Sequence, residues 1–287
     1  MHTPKGKIVA IGGNENKGDQ TAPEALESTV QGAFNNGILK RIHDELHGIG
    51  TRIEVVTTAT QFPEKAGQVY TEAFMRLGCD NVGVLPIQSS CDTGRLDYLD
   101  RLSAADAVMF SGGDQQRIMQ VFEQTEELQI LKKRYLHEDK FLISGTSAGA
   151  MALSGIMING SLEGHPLVKG TVSLTSGLGL LEHIIIDTHF VNRRRIPRLI
   201  EAIAANPTHI GIGLGEDTGV LITHNNYIET IGSGLVIVID GRKILQNNYN
   251  TVQEGELLCV ENLVLHVLPK GRAYHITNGE FLNLPLT

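Results

Sequence analysis

Cysteine is scarce: Cys79, Cys91 and Cys259 are the only three in 287 residues. The number is odd and no CxxC or Cys/His ligand spacing occurs. Neither a disulfide framework nor a zinc knuckle is expected, and reduced thiols are the simpler reading. Long apolar runs are missing too. None approaches the roughly 18 residues of a membrane span. The polar start at residues 1–7 and the short apolar run at 8–11 do not make a signal-peptide core, so the expected compartment is a reducing cytoplasm. Positive charge is in deficit, with 24 Lys and Arg against 32 Asp and Glu and a net charge of −8. A general nucleic-acid binder, whose affinity rests on neutralising phosphates, is therefore not expected, although a local basic site stays open. No linker, low-complexity segment or internal repeat breaks the chain. Length alone suggests roughly two domains. Without a boundary the expectation is one domain over residues 1–287, with a core at 1–208 and a β-rich part at 209–287.

What is present is ordinary globular material, 41% apolar and 20% charged, in a chain long enough to bury about three quarters of its unfolded surface. Short apolar runs at 7–11, 53–60, 81–87, 107–110 and 141–144 are continuous rather than alternating. Such runs suit strands covered on both faces, as in a parallel sheet. Helical patterns lie between them. Residues 63–77 open with a proline and carry Val69, Ala73, Phe74 and Leu77 at helical spacing, and 125–135 place Leu128, Leu131 and Tyr135 on one stripe. This predicts a three-layer α/β fold, with a mostly parallel central sheet and helices on both faces. From about His209 short strands separated by Gly, Asn and Asp turns take over, at 210–214, 219–223, 227–231 and 235–239, with β character continuing at 257–268 and 273–276. An antiparallel C-terminal β region is expected there.

The most specific local signal is Gly145-Thr146-Ser147-Ala148-Gly149, which follows the apolar run 141–144 and precedes a helical pattern over 148–158. Strand, sharp turn and helix are the context in which G-x-S-x-G becomes a nucleophile elbow. Glycines at 145 and 149 let the turn tighten and the helix approach the strand. Ser147 then projects its hydroxyl at the carboxyl edge of the sheet, and the Ala148 N–H sits at a helix start as an oxyanion donor. A second donor is expected from Ser111-Gly112-Gly113-Asp114-Gln115, where Asp114 could equally be the N-cap of a helix over 116–122.

A serine hydroxyl needs a base. Among 11 histidines, His189 stands apart, closing the β-branched run that reads Ile184-Ile185-Ile186-Asp187-Thr188-His189. A third group should orient the imidazole. Glu163, in the loop Gly160-Ser161-Leu162-Glu163-Gly164, leads; Asp187 is the alternative, and its other use is substrate binding. After His189 come Arg193, Arg194, Arg195 and Arg198 around Pro197, at the start of a helical run over 199–205. The macrodipole disfavours cations there by about 0.3–1 kcal/mol each. Guanidinium forks bind carboxylates in bidentate fashion, so the cluster reads as an anion clamp. No Walker-type lysine loop is present, which favours carboxylate over phosphate.

These pieces resemble the cyanophycinases, of the serine peptidase family that also contains dipeptidase E. The resemblance covers most of the chain. It rests on Gly12-Gly13-Asn14-Glu15, the run from Phe110 through Ser111-Gly112-Gly113-Asp114 to Gln115, and the run from Gly145 to Ala150. Asp187-Thr188-His189-Phe190, the arginines at 193, 195 and 198, and Gly213-Leu214-Gly215-Glu216-Asp217-Thr218 complete it. It implies a fold like the class I glutamine amidotransferases, usually a homodimer. It also implies hydrolysis of cyanophycin, a poly-aspartate with arginine amide-linked to each side chain, to β-aspartyl-arginine dipeptides. Carried over, Ser147 is nucleophile, His189 base and Glu163 its orienter. Gly113 or Asp114 with Ala148 supply the oxyanion N–H groups, and Gln115, Asp187, Arg193, Arg195 and Arg198 line the substrate groove. No metal or cofactor is implied. Thr188 departs from the pattern, which often has Gln there.

Three rival readings remain, two of them enzymes and one from another class. One is a small aspartyl or isoaspartyl dipeptidase of the dipeptidase E type. Another is an α/β-hydrolase esterase, for which the 42 residues from Ser147 to His189 are few. The third is a non-catalytic binder of acidic peptides that uses the arginines alone.

Overall fold

An apolar run with no polar break must be covered on both faces, and the first strands meet that demand. The computed structural model describes residues 3–19, 32–46, 50–162 and 167–284. Strands β1 (Lys7–Ile11), β2 (Arg52–Val56), β3 (Asn81–Leu85), β4 (Ala107–Phe110) and β5 (Leu142–Thr146) pair in parallel in the order β1-β5-β4-β2-β3. Successive residues serve two cores. Val9, Ile11, Ile53, Val55, Ala107 and Met109 belong to one, while Ile8, Ala10, Val56, Val108 and Phe110 belong to the other. Helices α1 (Ile38–Asp44) and α2 (Pro63–Arg76) close the first core with Ile38, Leu39, Ile42, Tyr70, Ala73 and Phe74. Helices α3 (Leu96–Ala104), α4 (Gln115–Phe122) and α5 (Glu126–His137) contribute Leu102, Ile118, Phe122 and Leu131 to the second. Pro63 occupies the first turn of α2, where a missing N–H costs nothing. Asp114 caps α4 by accepting from the Gln116 N–H at 2.8 Å.

The expected helix over 148–158 is cut short. Helix α6 (Ala148–Ala152) gives one turn, and the chain then forms a hairpin of β6 (Ile156–Ser161) and β7 (Val172–Ser176). Gly155 and the β-branched Ile156 and Ile158 oppose helix, and the Gly155 N–H is taken by Leu181 O at 2.8 Å.

Strand β8 (Ile184–Asp187) does not join the large sheet. It pairs in parallel with β9 (Ile210–Leu214), and β12 (Leu235–Asp240) and β15 (Val264–Pro269) extend a second sheet in the order β15-β12-β9-β8. Helix α7 (Ile196–Ala205) packs on it so closely that a Cβ on Gly211 would lie 2.8 Å from Leu199 Cγ. After β9 the chain bends at Gly215-Glu216-Asp217 and changes sheets. Strand β10 (Thr218–Thr223) runs antiparallel to β1 and is followed outward by β11 (Tyr227–Gly232), β16 (Arg272–His275) and β17 (Glu280–Asn283). A two-residue ladder joins β13 (Gln246–Asn247) to β14 (Val260–Glu261). The fold is thus mixed α/β with antiparallel strands toward the C-terminus, as expected. These strands are divided between the two larger sheets and the short β13–β14 ladder rather than forming one layer. Among the described residues, no helix is long and apolar enough to cross a membrane.

Candidate active site

The carboxyl ends of β1, β4 and β5 lie side by side, with Ile11 opposite Thr146 and Phe110 opposite Gly145. Directly after β5, Ser147 has φ 50° and ψ −115°. A side chain held in a sparsely populated backbone region costs about 1–3 kcal/mol and persists only where surroundings impose it. Here they do. The Ser147 N–H is taken by Ile11 O at 2.9 Å, and Ser147 O accepts from the Met151 N–H at 3.0 Å. A Cβ on Gly145 would lie 2.5 Å from Gly149 C, and one on Gly149 would lie 2.3 Å from Phe110 O. The two glycines are what let α6 sit against the strand ends.

His189 comes from the other sheet, not from the same sheet edge as Ser147. It follows β8 with φ 47°, its N–H bonded to Gly12 O at 2.9 Å. Its Nε2 lies 3.0 Å from Ser147 Oγ, and its Nδ1 lies 2.8 Å from Glu216 Oε1. A carboxylate can only accept, so Nδ1 carries the proton and Nε2 is left to accept from the Ser147 hydroxyl. Bonds from the Asn14 side chain and from His189, with Arg193 nearby, hold the Glu216 carboxyl below its ordinary value and so keep it ionised. The His189 side chain is 9% exposed and lies against Gly13 (φ 100°), where a Cβ would come within 2.5 Å of Cε1. A side chain at position 13 would collide with the imidazole.

The carboxylate on His189 is therefore Glu216, at the bend between β9 and β10. Glu163 lies outside the described residues. Asp187 does not reach the ring. It is fully buried and saturated by Arg198, whose Nε donates to Oδ2 at 2.6 Å and whose Nη2 donates to Oδ1, with Arg195 Nη1 3.4 Å from Oδ1. Nor does Asp187 line the cavity, so a direct substrate contact from it is not what this geometry offers. A signal for Glu216 was available: an acidic residue among glycines just past an apolar run, the same reasoning that singled out His189.

Ser147 and His189 open into a cavity of about 750 Å³. Gly113, Gln115 and Ala148 line it, with Asn159 and Ser161 of the hairpin and Arg193, Arg194, Arg195 and Arg198. Among the described residues, no acceptor takes the N–H of Gly113 or of Ala148. The Asp114 N–H is already given to Ala59 O at 2.9 Å, so of the expected oxyanion donors Asp114 drops out. Gln115 spends its side-chain NH₂ on Ile158 O and Asn159 O, at 3.0 and 3.2 Å, and ties α4 to the hairpin. Arg193 and Arg194 are exposed at the mouth, while Arg195 and Arg198 are half-buried. Among the described residues, no group of three His, Cys, Asp or Glu is placed to hold a metal ion.

A solved structure of a peptidase from an acI-B1 actinobacterium superposes with TM-score 0.61 at 21% identity, covering 96% of this chain and 99% of the other. A putative peptidase E protein from Listeria monocytogenes gives 0.52 at 15% identity, covering 79% and 98%. These likenesses establish the fold as that of a group of peptidases. The family is shown by sequence: residues 27–230 match the model of peptidase family S51, and the chain belongs to that family. It is a peptidase, and hence a hydrolase. A cyanophycinase of Synechococcus elongatus is 33% identical over 95% of this chain and 80% of its own length. A cyanophycinase of Nostoc sp. is 31% identical over 96% and 88%, and one of Geminocystis herdmanii is 30% identical over 94% and 94%.

Proposed function

We propose that the chain is a serine exopeptidase that degrades cyanophycin to β-aspartyl-arginine dipeptides, with Ser147, His189 and Glu216 as its catalytic triad. The observation that carries this is the unbroken hydrogen-bond chain from Ser147 Oγ through His189 to Glu216, opening under a rim of arginines. The Ser147 hydroxyl gives its proton to His189 Nε2 as Oγ bonds to the scissile backbone carbonyl carbon. The oxyanion is received by the N–H groups of Gly113 and Ala148; one such donor is worth about 10²–10³-fold in rate. As the C–N bond breaks, the imidazolium gives the proton to the leaving amine. Water, deprotonated by the same ring, then hydrolyses the acyl-enzyme ester. The substrate's free arginine carboxylates suit Arg193 and Arg194 at the mouth. Arg195 and Arg198 approach the cavity with part of their charge balanced by Asp187.

The chain is read as one hydrolytic unit, since β10 and β11 continue the sheet that holds β1 and β5. Cytoplasmic residence fits three free thiols, two of them exposed. A homodimer is the assembly we infer from the resemblance. The test is mass spectrometry of products after incubation with cyanophycin granules. Release of β-Asp-Arg by the wild type, lost in Ser147→Ala, supports the reading. Cleavage of Asp-X dipeptides with granules left turbid would replace it with the dipeptidase E type of activity.

A further inference from the structure

Gly12-Gly13-Asn14-Glu15 has no part in the chemistry above, yet this loop, together with Ile11 at the end of β1, touches every member of the triad. Ile11 O takes the Ser147 N–H, Gly12 O takes the His189 N–H, and Gly13 O takes the Asp217 N–H beside Glu216, each at 2.9 Å. The Asn14 side chain bonds Glu216 itself. Such a loop can fix the triad only if it is fixed in turn, and Glu15 is where it is tied down. The Glu15 side chain is 1% exposed. Its Oε2 accepts from Thr146 Oγ1 at 2.7 Å, and Thr146 is the residue immediately before Ser147. Its Oε1 accepts from the Tyr70 hydroxyl of α2 and lies 3.0 Å from Lys17 Nζ. A buried carboxylate is costly unless its lone pairs are met, and replacing such a group by apolar residues is often neutral for stability. Three donors from three places, strand end, helix and loop, make this one a cross-brace rather than a core filler.

We infer that Glu15 is a positioning residue, which locks the loop after β1 to Thr146 and thereby holds Ser147, His189 and Glu216 in register. The inference rests on the serine-hydrolase reading of Ser147 but not on the identity of the substrate. Serine and histidine come from different sheets, so no strand pairing sets their separation. The loop with its Glu15 anchor is the shared part. Misplacement of reacting groups by about 1 Å can cost on the order of 10²-fold, whereas the substrate cavity does not include Glu15.

The experiment measures the second-order rate at which a fluorophosphonate labels Ser147, with kcat and KM on a cleaved substrate, in Glu15→Gln, Thr146→Val and Thr146→Ser. The expected result is labelling and kcat lowered about tenfold or more in Glu15→Gln and Thr146→Val, KM unchanged within about twofold, and both rates largely restored in Thr146→Ser. If Glu15→Gln does not fold, the Val and Ser pair at 146 decides alone. Labelling of Thr146→Val at the wild-type rate overturns the inference, as does a loss expressed wholly in KM. A wild-type chain that takes no label at Ser147 removes the serine reading and the inference with it. A labelled wild type with unaltered variants removes the inference alone.

Discussion

Two residues of like charge and neighbouring position, Arg193 and Arg198, should behave differently because one faces solvent and the other a buried carboxylate. Removing Arg198 leaves the fully buried Asp187 without its two strongest donors, keeping the 3.4 Å contact to Arg195 and the bond from the Thr188 N–H. Breaking a buried pair in this way typically costs about 3–5 kcal/mol. Arg198→Ala should therefore lower Tm markedly in a thermal melt, and the double change Arg198→Met with Asp187→Leu should recover part of it. A substitution at 198 that altered only KM would refute the structural role. Glu216 calls for a different measurement. With the carboxylate replaced by an amide, the imidazole loses the partner that fixes its tautomer, and a comparable change in serine proteases costs about 10⁴ in kcat. Glu216→Gln should lose about 10²–10⁴-fold in kcat with little change in KM. Its pH behaviour has a definite sign. The folded-state value is depressed, so the stabilisation from the ionised form is complete above the ordinary carboxylate range and is lost as pH falls through the lower folded value. The Tm difference between wild type and Glu216→Gln should close on the acid side of that range, and a gap that widened there would refute the assignment.

At the scale of elements, the elbow depends on backbone contact that only glycine permits. Gly149 is the sharper case, since its Cβ would lie 2.3 Å from Phe110 O, closer than the 2.5 Å between a Cβ on Gly145 and Gly149 C. Gly149→Ala must push α6 away from Phe110, at a cost of at least the 1–3 kcal/mol typical of overpacking. It should lower Tm and abolish labelling of Ser147 together; normal stability with normal labelling would contradict the geometry. This elbow was legible from five letters and their flanks, because strand, turn and helix each leave a local mark. The strands β1 to β5 were legible for a similar reason: continuous apolar runs report burial on two faces whatever their partners. What local pattern could not report was which sheet a strand would join. The 184–187 run looks like another strand of the parallel sheet, yet it pairs with β9. The bend at 215–217, where the chain crosses between sheets, has no periodicity to read. Glu216 sits on that bend, 27 residues from His189, so no local pattern joins the two. Helix α6 is shorter than its pattern suggests because the apolar residues at 156–158 fit a helical stripe as well as a strand, and Gly155 breaks the helix before them.

Over the whole molecule, a chain of net charge −8 lines one cavity with four arginines, two of them exposed at its mouth. The proposed substrate is a string of zwitterions, each unit carrying one carboxylate and one guanidinium. At a distance its two charges nearly cancel, so the acidic surface as a whole neither attracts nor repels it strongly. Recognition must then arise within a few ångströms of the mouth, where carboxylates meet Arg193 and Arg194. These two are exposed, and exposed pairs are screened once the Debye length shrinks from about 30 Å at 0.01 M to about 3 Å at 1 M. KM for a soluble β-Asp-Arg oligomer should therefore rise several-fold over that range while kcat holds, since Ser147, His189 and Glu216 are bonded directly rather than through space. Arg193→Ala should start from a raised KM and show a flatter salt dependence. Steady-state kinetics across ionic strength would check this. A KM indifferent to salt in the wild type would mean that the arginine rim does not read carboxylates, and recognition would have to be sought deeper in the cavity, at the hairpin side chains Asn159 and Ser161.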